Sequence, residues 1–184
     1  MTDLETLPQS TVPEETDLVM TLAGADAINF LQGQTTADFE NTEPGAVRFA
    51  AFCNPKGRVI ADVLAIVVSN DQVMLRGRQA VMTALATHLK PYLSFSKSTL
   101  SDSHWRISCE KIGAQRSATE HAARLQYDAD TLVRIDIPRS DDITESWRVS
   151  GTAAHSQAAE PLALAEVDIM TARARVELET IGAY

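Results

Sequence analysis

Two spacings of apolar residues divide the first half of the chain. Residues 17–22 hold a short apolar run of Leu18, Val19, Met20 and Leu22 ahead of Gly24, which predicts a strand. Over residues 25–35 the spacing changes, with Ala27, Ile28, Leu31 and Gln32 at helical intervals. Asp26 stands near the start of that helix, where a carboxylate complements the helix dipole. Residues 47–52 and 59–68 are rich in β-branched and aromatic side chains and predict two strands. Between them lie Cys53, Asn54, Pro55, Lys56 and Gly57, with Pro and Gly at the places a tight turn favours. Ser69, Asn70 and Asp71 form a second turn, and residues 73–75 return as a strand. The stretch 47–75 is therefore expected to be an antiparallel meander whose first turn is 54–57.

Helical spacing returns over residues 79–89, where Val81, Met82, Leu85, Ala86 and Leu89 share one face; the helix is expected to stop before Pro91. Strands are predicted at 95–100, 105–109, 131–137 and 147–149, and helices at 118–125 and 158–174. Hairpins and helices without regular strand–helix–strand alternation indicate an α+β protein with antiparallel sheets and flanking helices. Residues 1–16, with Pro8, Pro13 and many acids and hydroxyls, read as a flexible N-terminal arm, and 17–184 as one folded region.

Composition narrows the functional classes. Apolar residues make up 45% and charged residues 22%, which are globular values. A formal net charge of -9 repels phosphate backbones, so direct nucleic-acid binding is not expected, although arginines gathered locally leave small anions as ligands. An acidic, polar start and no long apolar run predict a cytoplasmic protein without membrane contact. Cys53 and Cys109 are far apart, and His88, His104, His121 and His155 are scattered, so neither a disulfide framework nor a bound metal is expected.

Four segments carry more than class. They are Leu22 to Asp26 leading into the run FLQGQTTAD that ends at Asp38; AAFCNPKGRVIAD, which ends at Asp62; LKPY with FSKS, which ends at Ser98; and residues 168–184. In order and spacing they resemble the opening two-thirds of the YgfZ family, which is itself similar to the aminomethyltransferase of the glycine cleavage system. That resemblance implies ferredoxin-like halves and a folate pocket between domains. It implies tetrahydrofolate as cofactor, and iron–sulfur enzymes or their assembly factors, including enzymes that modify tRNA, as partners. The expected role is a folate-binding accessory protein without classical turnover. The alternatives are a folate-dependent aminomethyl or one-carbon transferase, and a non-catalytic interaction module that has lost the ligand. The cysteine-bearing motif of the family is expected beyond Tyr184, so 17–184 reads as a region incomplete at its C-terminus. Weak folate binding and exposed apolar area near Val176, Leu178, Ile181 and Tyr184 are expected in consequence.

The same resemblance picks out site residues. Asp62 falls where the aminomethyltransferases carry an acid facing the reactive folate nitrogens, and is the one candidate catalytic residue; the alternative is an exposed strand carboxylate. Lys56 and Arg58 suit the carboxylates of a folate tail, or simply a solvated hairpin tip. Arg76, at a strand end beside Gly77 and Arg78, is a further folate-binding candidate. Gln32 offers an amide to a pterin edge, or serves the end of its helix. Cys53 reads as a small buried hydrophobe rather than a nucleophile.

Overall fold

The protein is analysed as a computed structural model that describes residues 17–111, 122–140, 142–149 and 160–162. The first half runs β1 (Asp17–Gly24), α1 (Ala27–Gln34), β2 (Val47–Cys53), β3 (Val59–Ser69), β4 (Gln72–Arg78), α2 (Gln79–Leu93) and β5 (Ser98–Asp102). Its strands form a five-stranded sheet in the order β2-β3-β4-β1-β5, every neighbouring pair antiparallel. Without β2 the order is that of a split β-α-β, or ferredoxin-like, unit, to which β2 adds an edge strand. The second half runs β6 (Trp105–Lys111), β7 (Arg124–Asp128), β8 (Thr131–Pro138), β9 (Ile143–Val149) and β10 (Glu160–Leu162). These make a second five-stranded sheet in the order β10-β6-β9-β8-β7, also antiparallel.

Strand periodicity sends alternate side chains of the first sheet to two different cores. Met20, Leu22, Phe52, Val63, Ala65, Val67, Val73 and Leu75 face α1 and α2, packing against Leu31 and against Val81, Met82, Leu85 and Leu89. Val19, Leu64, Ile66 and Met74 face the second sheet and meet Ile135, Ile137 and Trp147. The first sheet is thus sandwiched between helices and a second sheet.

Turn chemistry fixes the meander as expected. Gly57 N–H donates to Asn54 O at 2.8 Å, and Asn54 Oδ1 accepts Lys56 N–H at 2.9 Å and Arg58 N–H at 3.0 Å. Gly57 has φ +77°, which only glycine adopts without strain. Gly24 has φ +136°, and a Cβ there would stand 2.0 Å from Lys97 O, so glycine permits the β1–α1 turn to press against the start of β5.

Several elements differ from the sequence-based expectation. α2 continues through Pro91 to Leu93, because Leu93 packs against the helix-side core and the lost N–H falls in the last turn. Phe95 is not in a strand; β5 begins at Ser98. Asp26 precedes α1 without capping it, and its Oδ2 instead accepts Lys97 N–H at 2.8 Å. Arg124 and Leu125, assigned to a helix by composition, lie in β7, and residues 160–162 of the expected 158–174 helix form β10. Ala122 and Ala123, of the same expected helix as Arg124, are irregular, and the arm 1–16, residues 118–121, 158–159 and 163–174, and the C-terminal residues Val176 to Tyr184 lie outside the described residues.

Candidate functional site

The site is built on the face of the first sheet that looks toward the second. Registers Ala51↔Asp62, Phe49↔Leu64, Leu64↔Arg76, Val19↔Arg76 and Asp17↔Arg78 define two transverse rows. Phe49, Leu64, Arg76 and Val19 form one row. Ala51, Asp62, Arg78 and Asp17 form the next, toward the β2–β3 hairpin. Ala61 and Val63 belong to the helix-side core, so Asp62 between them takes the opposite face, the same as Arg76. The two are diagonal neighbours, a relation that spaces Cα atoms by about 7–8 Å. Asp62 is half-buried, whereas Arg76 is fully enclosed.

A buried ionic cluster closes the inner row. The Arg76 guanidinium pairs through Nη1 with Asp17 Oδ2. Its Nε lies 2.9 Å from Glu145 Oε1, a charge contact whose angle falls short of a hydrogen bond, and its Nη2 donates to Glu145 Oε2 at 3.3 Å. Arg139, in the turn after β8, pairs through Nη1 with the same Oε2. Trp147 Nε1–H donates to Glu145 Oε1 at 2.6 Å. Two cations and two anions thus balance inside the protein, where an uncompensated charge would be strongly destabilising. Arg139 also reaches back across the seam, its Cζ 5.5 Å from the centroid of the Phe49 ring, which is 54% exposed.

The sequence-predicted residues therefore divide. Asp62 and Arg76 share a face. Lys56 and Arg58 are exposed on the hairpin tip at the same end of the sheet as Asp62. Gln32 is not brought to them: α1 packs on the other face, and Gln32 Oε1 accepts Phe39 N–H at 2.6 Å, bracing the loop after the helix. Cys53 is half-buried at the end of β2, and both cysteines are free thiols. Sequence reasoning passed over Asp17, Phe49, Arg139 and Glu145. The partners in the cluster lie up to 69 residues apart, so no local spacing reveals them.

A second polar group lies on the outer face of the second sheet, where Asp136 accepts Arg134 Nε–H at 2.7 Å and Gln126 Nε2–H at 3.0 Å and is also bonded by the Ser146 hydroxyl. Among the described residues no group of three His, Cys, Asp or Glu side chains is placed to hold a metal ion, and no helix is long and apolar enough to cross a membrane.

With the geometry in place, three comparisons bear on it. Residues 18–112, just over half of the chain, match the family model described as the GCVT N-terminal domain. A tRNA-modifying protein YgfZ of Sodalis glossinidius is 33% identical over 94 residues, 51% of this chain and 28% of that protein. A protein of the same name from Aliivibrio fischeri (strain ATCC 700601 / ES114) is 33% identical over 98 residues, 53% of this chain and 30% of that one. Each match thus spans less than a third of the relative's own length. The crystal structure of the glycine cleavage system aminomethyltransferase T from Bartonella henselae superposes with a TM-score of 0.61 over 74% of this chain and 40% of that one, at 9% identity, a likeness of fold. The matched residues take in the first sheet apart from Asp17, both helices and β6, while β7 to β10 lie beyond them.

Proposed function

Because the chain belongs to the GCVT N-terminal domain family, we propose that it is a folate-binding accessory protein of the YgfZ type. The observation that carries this reading is the position of Asp62. It is half-buried, in the outer row of the inter-sheet face, beside a buried ionic cluster and below a cationic hairpin tip. The residues fit the chemistry of a reduced folate. A carboxylate suits the N–H edge of a pterin, the exposed Phe49 ring offers stacking area, and Lys56 and Arg58 suit the carboxylates of the glutamate tail. A bound tetrahydrofolate would supply a carrier for one-carbon units. The protein's own contribution is positioning. Asp62 accepts from the ligand's N–H groups, and Arg76, held by Asp17 and Glu145, fixes the strand that carries the site. Arg76 acts through its ion pairs and not by direct contact. Gln32, engaged with Phe39, takes no part in this reading.

The finer role is support of iron–sulfur enzymes, among them enzymes that modify tRNA, in the cytoplasm; the names of the YgfZ relatives agree with a tRNA-linked role. Asp62 also favours a second reading, folate-dependent aminomethyl transfer, since a carboxylate there can hold a developing iminium by charge. Calorimetric titration with tetrahydrofolate tests the first reading: saturable binding is expected, weakened roughly tenfold or more in Asp62→Asn, because a hydrogen bond to a charged group is lost. Saturable binding unaffected by that change would remove Asp62 from the site, and no binding at all would leave a module without the ligand. Release of ammonia from an aminomethyl donor in the presence of tetrahydrofolate would favour the transferase.

A further inference from the structure

The edge strands of the two sheets are not alike. β2 is partly closed: Thr36 N–H donates to Ala51 O at 3.0 Å, and Ala51 N–H donates to Thr36 Oγ1 at 3.1 Å. β10 holds Pro161, which lacks an N–H. The one charged side chain of β5 is Asp102, so no register of two copies could pair its charges. β7 differs from all three. Its sequence is Arg124, Leu125, Gln126, Tyr127, Asp128, with neither the lysine nor the proline that commonly guards an edge. The irregularity in its hairpin lies on the other strand. Gln126 pairs with Arg134 and Tyr127 with Leu132, so Val133 is the extra residue and β7 stays regular. The strand is anchored at its start, where Ala123 N–H donates to Gly45 O at 2.7 Å. Among the described strands none lies on its outer side.

Alternation gives β7 two faces. Leu125 packs against the inter-sheet core, and Tyr127 on the same face is 50% exposed. Arg124, Gln126 and Asp128 are exposed on the other face. The order of these five residues is self-complementary. In an antiparallel pair of two copies centred on Gln126, Arg124 of each copy faces Asp128 of the other. Leu125 faces Tyr127 on both sides of the centre, and Gln126 faces its twin. Centring the pair one residue either way leaves no opposite charges facing within the strand. Centring it on Arg124 or Asp128 sets like charges face to face, which is destabilising. A net charge of -9 opposes self-association over most of the surface, so an edge that is locally neutral and matches itself stands out. A strand from an unrelated protein would require no such symmetry.

We propose that β7 is a self-association edge: two copies of this chain pair through β7, antiparallel about Gln126, and join their five-stranded second sheets into one continuous sheet. The two Arg124–Asp128 pairs set the register. Leu125 of each copy covers the half-exposed Tyr127 ring of the other. Gln126 Nε2 donates to Asp136 at 3.0 Å within its own chain, and the second amide N–H and the carbonyl serve its twin. Five residues from each copy bury less than the roughly 1,200 Å² of a standard interface, so the dimer is weak and concentration-dependent. It is separate from the folate reading, since it uses none of those residues.

The test is sedimentation equilibrium of the 184-residue chain, which is expected to show a monomer–dimer equilibrium between roughly 10 μM and 1 mM. Asp128→Arg and Arg124→Asp each place like charges opposite at both ends, and each alone is expected to raise the dissociation constant at least about tenfold. An equimolar mixture of the two variants faces opposite charges again at both ends and is expected to recover the dimer. Arg124 also stands opposite Asp136 in its own sheet. Arg124→Gln therefore takes its place in the mixture if circular dichroism shows that Arg124→Asp does not fold. Tyr127→Ser is expected to weaken the dimer roughly fivefold. Asp102→Arg, the same charge change on the exposed edge of β5, is expected to leave it unchanged. Amide exchange of β7 is expected to slow as protein concentration rises. A monomer at every concentration overturns the proposal, as does a dimer that Asp128→Arg does not weaken or that Asp102→Arg weakens equally. No recovery in the mixture overturns the register. Protection of the β7 amides that is equal at all concentrations overturns the proposal as well, since another part of the chain would then cover the edge.

Discussion

On β4, Leu75 and Arg76 are adjacent, both fully buried, and point to opposite sides of the same sheet. Leu75 enters a core made of apolar side chains from the sheet and two helices. Arg76 enters a seam where apolar packing gives way to charge, and of its partners Asp17 belongs to its own sheet and Glu145 to the other. The helix-side core tolerates volume-conserving changes, because dispersion and burial are nondirectional. The seam depends on geometry, because each buried charge is stable only with its partner in place.

The largest expected effect separates the two sides. Arg76→Ala leaves Asp17 and Glu145 without their shared cation and is expected to destabilise by about 3–5 kcal/mol in chemical denaturation. Arg76→Met with Glu145→Gln removes one charge of each sign, and the double variant is expected to lose less than the sum of the singles, by about 0.5–3 kcal/mol. Strict additivity would mean that the cluster is not a unit. Leu75→Ala is expected to lose about 2–5 kcal/mol, scaling with the cavity left, and to be rescued in part by Met, which no change at position 76 other than a cation would match.

A smaller effect reports the seam optically. Trp147→Phe removes a donor from buried Glu145 and is expected to cost about 1–3 kcal/mol. In the parent, Trp147 is fully buried, so Arg76→Met is expected to shift its emission to the red if the seam loosens. An unchanged spectrum would show that packing alone holds the ring. The smallest effect lies at the hairpin tip. Gly57→Ala meets no atom within 4 Å and suffers only its positive φ, so about 1 kcal/mol is expected.

What the sequence disclosed follows the same division. The meander was legible because Asn54, Pro55 and Gly57 form a local turn, and the first helix because Ala27 and Leu31 share a face within one turn. The face shared by Asp62 and Arg76 depends on the register of β3 against β4, which the sequence alone does not state. The seam was not legible. Glu145 carries a charge within a strand, and this hid the first half of β9, which residues 147–149 alone suggested. Pro91 misled because the last turn of a helix tolerates a missing donor when a later leucine is packed. Gln32 looked like a ligand group because sequence does not say that Phe39 N–H will occupy its oxygen.

The ionic cluster has a consequence for motion. Asp17 and Arg76 come from the first sheet, Arg139 and Glu145 from the second half of the chain. Each side of the seam therefore carries one cation and one anion of its own. Parting the two sheets would break the contacts of Arg76 with Glu145 yet leave a neutral pair on either lip. Such a boundary can open as a unit without stranding a net charge, which marks the second sheet as a separate cooperative block. Amide hydrogens of β8 and β9 are expected to exchange together, through an opening of lower free energy than that which exposes β3 and β4.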